Sequence, residues 1–334
     1  MWHPAADPVL KRTVGRTGWR RRLLTTSALV VGFTACSSGA SLPYRAFTAD
    51  SYWNTPLPAN APIDPRSARI IGFLRTHDRL NYIRLAGASA TGRWGTPIYW
   101  ASPDDKSFSL GAKCGPPAGA ASTVPIPAGA RPDSTSDAEM TVYDRSKGVV
   151  YGLWRASYDA AAATWSACRI ATYYLSSNGL AGSLPQSDEP RNQGHRGVPP
   201  PVFAVRYDEV RAGAVRHVLK VSVASTGCSH VFPMTADECG TRAPGAPPEG
   251  ARIRIRPSVS LASLHLSPPS LVVARALQRY GAVIGDQSGN AVTLKLENTV
   301  AEGRGFLWKG VLGPNALSSI PLSDYEIVRL GYRR

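Results

Sequence analysis

Several motifs that mark common enzyme classes are missing from this chain of 334 residues. It has no phosphate-binding glycine loop, no Gly-x-Ser-x-Gly elbow, no Ser-x-x-Lys and no His-Glu-x-x-His. Nucleotide hydrolases, esterases and zinc proteases therefore drop out as leading hypotheses. The six histidines and five cysteines show no metal-ligand spacing, so we predict neither a metal site nor a cofactor.

Charge is scarce and unevenly placed. Only 18% of the residues are charged, and the formal net charge is +15. Residues 1–35 hold six of the basic residues and one of the acidic ones, which leaves +10 on the remainder. Electrostatics alone would permit nucleic-acid binding, but the export signal described next leads us to predict no nucleic-acid partner.

The amino-terminal region has the features of an export signal. Three arginines at 20–22 precede an uncharged, mostly apolar run at 25–35 that is too short to cross a bilayer. The Arg-Arg-x-Leu-Leu segment resembles a twin-arginine signal, and Phe-Thr-Ala before Cys36 resembles a bacterial lipobox. An uncleaved anchor and a simple secreted protein are the alternatives.

These features divide the chain into three parts. We predict a cleaved signal peptide at 1–35, a tether at 36–43 that is lipidated at Cys36, and one β-rich globular domain at 44–334. The cytoplasmic membrane is then a partner through the lipid anchor. The protein would lie on the outer face of that membrane or in the cell envelope.

The remaining cysteines fit an oxidising compartment. Apart from Cys36 there are four, an even number, and we predict two disulfides. Four cysteines allow three connectivities. The short interval between Cys228 and Cys239 favours a local pair, which would leave Cys114 with Cys168.

Alternating apolar and polar residues predict many short strands. In the segment 215–223, His217 and Leu219 fall on an apolar face with three valines, and Lys220 falls on the opposite face. Segments 282–285 and 291–297 flank a turn-forming sequence and predict a hairpin. Further strand candidates are 149–157, 166–175, 202–209 and 252–256.

Helix signals are few. Ser267 before Pro268 and Gly281 after Tyr280 are typical of the start and end of a helix over 268–280. A second helix is predicted from Pro65 to Leu74. Many strands and few helices predict a mainly β fold, an antiparallel β-sandwich or jelly-roll-like domain with one or two peripheral helices.

One group of residues has the types used in acid–base cleavage of glycosidic bonds. Tyr207, Asp208 and Glu209 lie on a segment predicted to be extended, and a short connection would bring them near His217. These four residues are our catalytic hypothesis. The alternative is that the carboxylates lie at the edge of a turn and that His217 is a core histidine.

Two further features indicate a surface for anionic or neutral sugars. Tryptophans such as Trp53, Trp94 and Trp100 offer flat faces on which sugar rings stack. In the segment 252–256, Arg252, Arg254 and Arg256 alternate with isoleucines, which predicts three guanidinium groups along one strand face. A solvated edge strand protected by charge would give the same pattern.

The segment around Cys228 carries a third hypothesis. Ser-Thr-Gly-Cys228-Ser-His230 distantly resembles the Ser-His-Gly-Cys signature of L,D-transpeptidases, which cross-link peptidoglycan through a thiolate activated by histidine. The resemblance implies a catalytic thiol at Cys228. Thr226 stands where that signature has histidine, and pairing of Cys228 in a disulfide would remove the thiol.

A broader likeness covers most of residues 50–334. Arg-Tyr-Asp-Glu-Val at 206–210, His-x-Leu at 217–219 and Ala-Leu-x-x-Tyr-Gly-x-x-x-x-Asp at 276–286 resemble motifs of uncharacterised secreted proteins from actinobacteria and other bacteria. The opening Trp-Asn-Thr-Pro at 53–56 is similar too. This resemblance implies a mainly β fold and an envelope or extracellular role.

Together these features predict a lipid-anchored envelope protein that binds, and in the stronger form of the hypothesis cleaves, an extracellular or cell-wall polysaccharide. A glycoside hydrolase or polysaccharide lyase would be the enzyme class. The alternatives are a non-catalytic structural or scaffold lipoprotein and the cysteine-dependent transpeptidase.

Overall fold

Short strands dominate the architecture. The computed structural model describes residues 42–114 and 123–333, so the predicted signal peptide and Cys36 lie outside the described residues. Within those ranges it has 16 strands and three α-helices, which confirms a mainly β fold with few helices. None of the helices in these ranges is long and apolar enough to cross a membrane.

The elements follow one another in this order along the chain. The helices are α1 (Ser67–His77), α2 (Tyr207–Arg211) and α3 (Pro268–Arg279). The strands are β1 (Arg84–Ala86), β2 (Ile98–Ala101), β3 (Ser107–Phe108), β4 (Gly111–Ala112), β5 (Val124–Pro125), β6 (Met140–Asp144), β7 (Val149–Trp154), β8 (Ser157–Asp159), β9 (Thr164–Ala167), β10 (Arg169–Tyr174), β11 (Ala204–Val205), β12 (Leu219–Val223), β13 (Arg252–Ile255), β14 (Ala282–Gln287), β15 (Thr293–Leu296) and β16 (Tyr325–Ile327). Four 3₁₀ turns lie at His195–Gly197, Pro200–Val202, Leu261–Leu264 and Leu322–Asp324.

The largest sheet has seven strands and mixed directions. Its order is β1-β15-β12-β14-β13-β16, with β11 also pairing with β15. Strands β1 and β11 run parallel to β15, and β12 runs parallel to β14, whereas β13 is antiparallel to both β14 and β16. The expected purely antiparallel arrangement is therefore wrong.

The predicted hairpin between β14 and β15 is also wrong. Strand β12 lies between them, parallel to β14 and antiparallel to β15. The turn signal at residues 286–290 correctly marks where the chain reverses. However, a turn sequence does not specify whether its two strands pair with each other or with a third strand inserted between them.

A second sheet has the order β10-β7-β6-β2, with β2 parallel to β6. One cluster of buried side chains joins the two large sheets, since it contains Val150 and Tyr173 from the second sheet and Val283 from the first. Another cluster packs α1 and α3 against the opposite face of the seven-stranded sheet. Both faces of β12 are consequently buried, including Lys220, which alternation alone had placed on a polar face.

The ends of α3 are as the sequence predicts. The Ser267 hydroxyl accepts a hydrogen bond from the backbone N–H of Ser270, and Pro268 occupies the first helical position. Gly281 adopts φ +69°, and a Cβ there would lie 2.7 Å from the carbonyl oxygen of Ile253. This residue must therefore be glycine for α3 to join β14 closely.

Candidate functional site

The predicted catalytic residues lie on a short helix rather than on a strand. Tyr207, Asp208 and Glu209 form the first turn of α2, so the extended conformation expected for 202–209 is wrong beyond β11. The Glu209 carboxylate accepts a hydrogen bond from the backbone N–H of Arg206 at 3.0 Å, which is the reciprocal half of a capping box. This local bond favours the helix over the alternation that predicted a strand.

Glu209 and His217 form a buried ion pair. The Nε2 atom of His217 lies 3.0 Å from Oε1 of Glu209, and both side chains are about 5% exposed. The Nδ1 atom of His217 faces the carbonyl oxygen of Val218 at 2.8 Å. Because both ring nitrogens face acceptors, the doubly protonated ring is the form that suits this position, and it has no free lone pair to act as a base.

The charges around Glu209 keep it ionised despite its burial. Burial by itself would raise the pKa of Glu209, but the charges of His217 and Arg206 outweigh it and hold the pKa below its ordinary value. Asp208 differs, since its side chain is half exposed and pairs with Arg206 Nε at 3.0 Å. Tyr207 packs its ring against Trp308 at 5.2 Å.

A cavity of about 10 Å³ lies beside this pair, and it holds at most one water molecule. Its lining includes Trp53 and Asn54 of the opening motif together with Arg206 and His217. The structure thus brings two separate sequence motifs to one place. A space of this size does not admit a sugar ring, so Glu209 and His217 have no opening through which to act on one.

Several predicted binding residues are also buried. Trp53 is fully buried, and its indole N–H donates to the carbonyl oxygen of Gly179 at 2.8 Å. Arg252 and Arg254 are 6% and 2% exposed, which corrects the expected guanidinium ridge, and Arg256 is the exposed member. The two isoleucines between them do face the core, as alternation predicts. The guanidinium face is covered as well, by residues 55–59.

Trp100 is the predicted sugar-binding residue with the most suitable surroundings. Its side chain is 40% exposed, and one face of its ring stacks on Tyr143 with the centroids 4.3 Å apart. The ring of Tyr44 meets it edge-on at 5.6 Å, and the Arg206 guanidinium lies 6.0 Å from its centroid. We call Tyr44, Trp100, Tyr143 and the flanking Arg145 the aromatic platform.

Trp94 is as exposed as Trp100 but has different surroundings. It adopts φ +65° in the loop before β2, and it makes no ring contact with any residue that the structure describes. A single exposed tryptophan offers one stacking face without a neighbour to hold it. The aromatic platform is therefore the stronger candidate for ligand binding.

Sequence reasoning missed a cluster of charged residues on the same large sheet. Lys220 Nζ lies 2.7 Å from His195 Nε2 and 2.6 Å from Asp286 Oδ2. Arg196 bridges Glu238 at 2.6 Å and Glu249 at 2.9 Å. Residues 194–197 all have positive φ, including the non-glycine residues His195 and Arg196, so the chain is held in a rarely adopted conformation to build this network.

The network shifts the pKa values of its members in opposite directions. Burial and the Lys220 charge hold the pKa of His195 well below its usual range, so its ring is neutral near pH 7. Burial opposes ionisation of Asp286, but Lys220 and His195 outweigh it and lower its pKa. Burial and the adjacent Asp286 raise the pKa of Glu238 to about 7. The glycines that flank His195 and Arg196 were the only sequence signal for this cluster.

The raised pKa of Glu238 predicts a pH-dependent stability. A carboxyl group whose pKa is higher in the folded state stabilises the fold below its unfolded pKa, and this contribution is lost as the pH rises through about 7. Glu238→Gln should therefore gain stability relative to the parent between pH 5 and pH 8, by roughly 1–3 kcal/mol. Urea unfolding at both pH values measures this difference, and parallel pH curves for the two proteins would contradict it.

Both predicted disulfides are present. Cys114 pairs with Cys168 and Cys228 pairs with Cys239, which confirms the pairing favoured by spacing and indicates an oxidising environment. Glu238 precedes Cys239 directly, so the second disulfide fixes the loop that brings Glu238 to Arg196. Transpeptidase chemistry requires a free thiol, and the Cys228 sulfur is bonded to Cys239 instead.

Comparison with known proteins gives no independent guide to this site. The chain matches no protein-family model, no curated protein and no solved structure. The likeness to secreted bacterial proteins therefore stays an expectation from the motifs quoted above. Function has to be argued from the geometry of the described residues.

Proposed function

We propose that the protein is an exported, lipid-anchored envelope protein that binds a polysaccharide on its aromatic platform. The observation that carries the proposal is Trp100, a ring that is exposed on one face and held on the other by Tyr143. A ring held in this way loses little conformational entropy when a flat apolar sugar face packs on it. Export is supported by the two disulfides and by the signal-like amino terminus.

Binding is the part of the original hypothesis that we carry forward. Cleavage at Glu209 and His217 has less support, because the two groups neutralise each other and adjoin a space no larger than a water molecule. Asp208 is the exposed carboxylate next to the platform, through Arg206, and suits acceptance of sugar hydroxyl groups.

Replacing Trp100 tests the proposal directly. Trp100→Ala should weaken polysaccharide binding by about tenfold or more, because removing an aromatic anchor from a binding surface typically costs more than 1 kcal/mol. Affinity electrophoresis against a panel of neutral and acidic polysaccharides measures the change. Trp94→Ala is the matched control, since it removes an equally exposed ring outside the platform.

Two outcomes would count against the proposal. If no polysaccharide in the panel binds the parent protein, a structural or scaffold role becomes the better hypothesis. If Trp100→Ala and Trp94→Ala weaken binding equally, the platform is not the binding surface. Acylation is tested separately, by mass spectrometry of the native amino terminus, which should carry a lipid on Cys36.

A further inference from the structure

The charges around the aromatic platform are not balanced. Arg206 is paired with Asp208 and Glu209, and Glu209 is also paired with His217, so the acidic groups on α2 are already engaged. Lys147, in the turn between β6 and β7, is paired with Asp144. These groups contribute little net charge to the surface.

Two arginines beside the platform lack such partners. The Arg145 guanidinium is exposed and lies 4.9 Å from the ring centroid of Tyr44. Arg216 donates from Nη2 to the carbonyl oxygen of Pro43 at 2.9 Å and is half-buried. Neither arginine has a carboxylate within ion-pair distance among residues 42–114 and 123–333. Their positive charge therefore remains available at the edge of the stacked rings.

Resting on the proposed function, we propose that the ligand of the aromatic platform is an anionic glycan, whose sugar ring stacks on Trp100 while its acidic group meets Arg145. Guanidinium groups bind carboxylate and phosphate oxygens through paired N–H donors, so uronic acid and sugar-phosphate polymers share the required chemistry. The cation–π contact with Tyr44 holds Arg145 beside the rings. The formal charge of +10 on residues 36–334 would also attract a polyanion from a distance.

Arg145 and Lys147 offer a matched pair for testing this proposal. Both are exposed cations of the same turn, but only Arg145 contacts the platform. With the full chain in detergent, Arg145→Gln should weaken binding to polygalacturonate or poly(glycerol phosphate) by about tenfold at 150 mM salt, the size of a lost charge-assisted hydrogen bond. Lys147→Gln should change affinity by less than about twofold.

The choice of polymers separates the possible sources of the signal. Polygalacturonate and poly(glycerol phosphate) distinguish carboxylate from phosphate recognition, dextran is the neutral polymer, and polyglutamate is a polyanion without sugar rings. We expect the parent to prefer at least one acidic glycan over dextran and polyglutamate. We also expect Trp100→Ala to weaken binding of that glycan.

Three results would overturn the inference. Dextran may not bind as tightly as the acidic glycans, polyglutamate may not equal them, and Lys147→Gln may not match Arg145→Gln. Equal binding of dextran that still depends on Trp100 would leave the proposed function standing and remove only the anionic ligand. Loss of all dependence on Trp100 would remove both.

Discussion

His217→Ala should destabilise the protein by about 3–5 kcal/mol, because it leaves the Glu209 carboxylate buried without its closest opposite charge. Glu209→Ala should have a similar effect, since it also removes the acceptor that caps the first turn of α2. Equilibrium urea unfolding, with circular dichroism as the probe, gives the change in free energy. Should either variant fail to fold, the loss of a cooperative transition is itself the expected direction.

Asp208→Asn provides the matched control for this pair. Asp208 is adjacent in sequence and also contacts Arg206, but its side chain is half exposed, so its removal should cost no more than about 1 kcal/mol. The lowered pKa of Glu209 adds a pH test. Its contribution to stability is present above the unfolded pKa and is lost as the pH falls through the folded one.

The opposite result would restore the catalytic hypothesis. If His217→Ala kept the parent melting temperature and abolished cleavage of a polysaccharide, the four residues 207–209 and 217 would be a catalytic group whose opening the structure does not display. Assays for new reducing ends and for unsaturated uronates distinguish hydrolysis from elimination.

Arg254→Ala is the second substitution with a large expected effect. Arg254 donates from Nε to Glu326 at 2.7 Å and from its two terminal nitrogens to the carbonyl oxygens of Pro58 and Ala59 at 2.8 and 3.1 Å. Its removal leaves a carboxylate and two carbonyl groups without their donor. We expect a loss of about 3–5 kcal/mol in the free energy of unfolding.

The same strand supplies the control. Arg256→Ala removes an exposed guanidinium that pairs with Asp324 at 3.3 Å, and should cost no more than about 1 kcal/mol. Limited proteolysis gives a second readout, since Arg254→Ala should expose the segment 55–59 to cleavage while Arg256→Ala should not. Equal stability of the two variants would show that all three arginines are surface groups, as the sequence had suggested.

Local signals in the sequence predicted local structure well. The serine and glycine around α3 mark its ends, and the short interval between Cys228 and Cys239 indicates their pairing. Such signals involve neighbouring residues whose geometry the backbone itself restricts. They needed no knowledge of what covers each surface.

Long-range packing was beyond the same reasoning. Alternation in β13 separates the isoleucines from the arginines, but it does not reveal that residues 55–59 cover the arginine face. Likewise, Lys220 appeared as a solvent-facing residue until His195 and Asp286 came together around it. Burial of a polar face depends on partners distant in sequence, and the site at Trp100 depends on Tyr44 and Tyr143 in the same way.

Tyr44 has one more consequence, because it is both a wall of the stacked rings and the eighth residue after Cys36. A fully stretched chain of that length reaches about 28 Å. A lipid on Cys36 would therefore act as a short leash, and the tryptophan could sample only the layer of wall material next to the bilayer. Polymers anchored in the membrane itself would meet it more often than material shed into the medium.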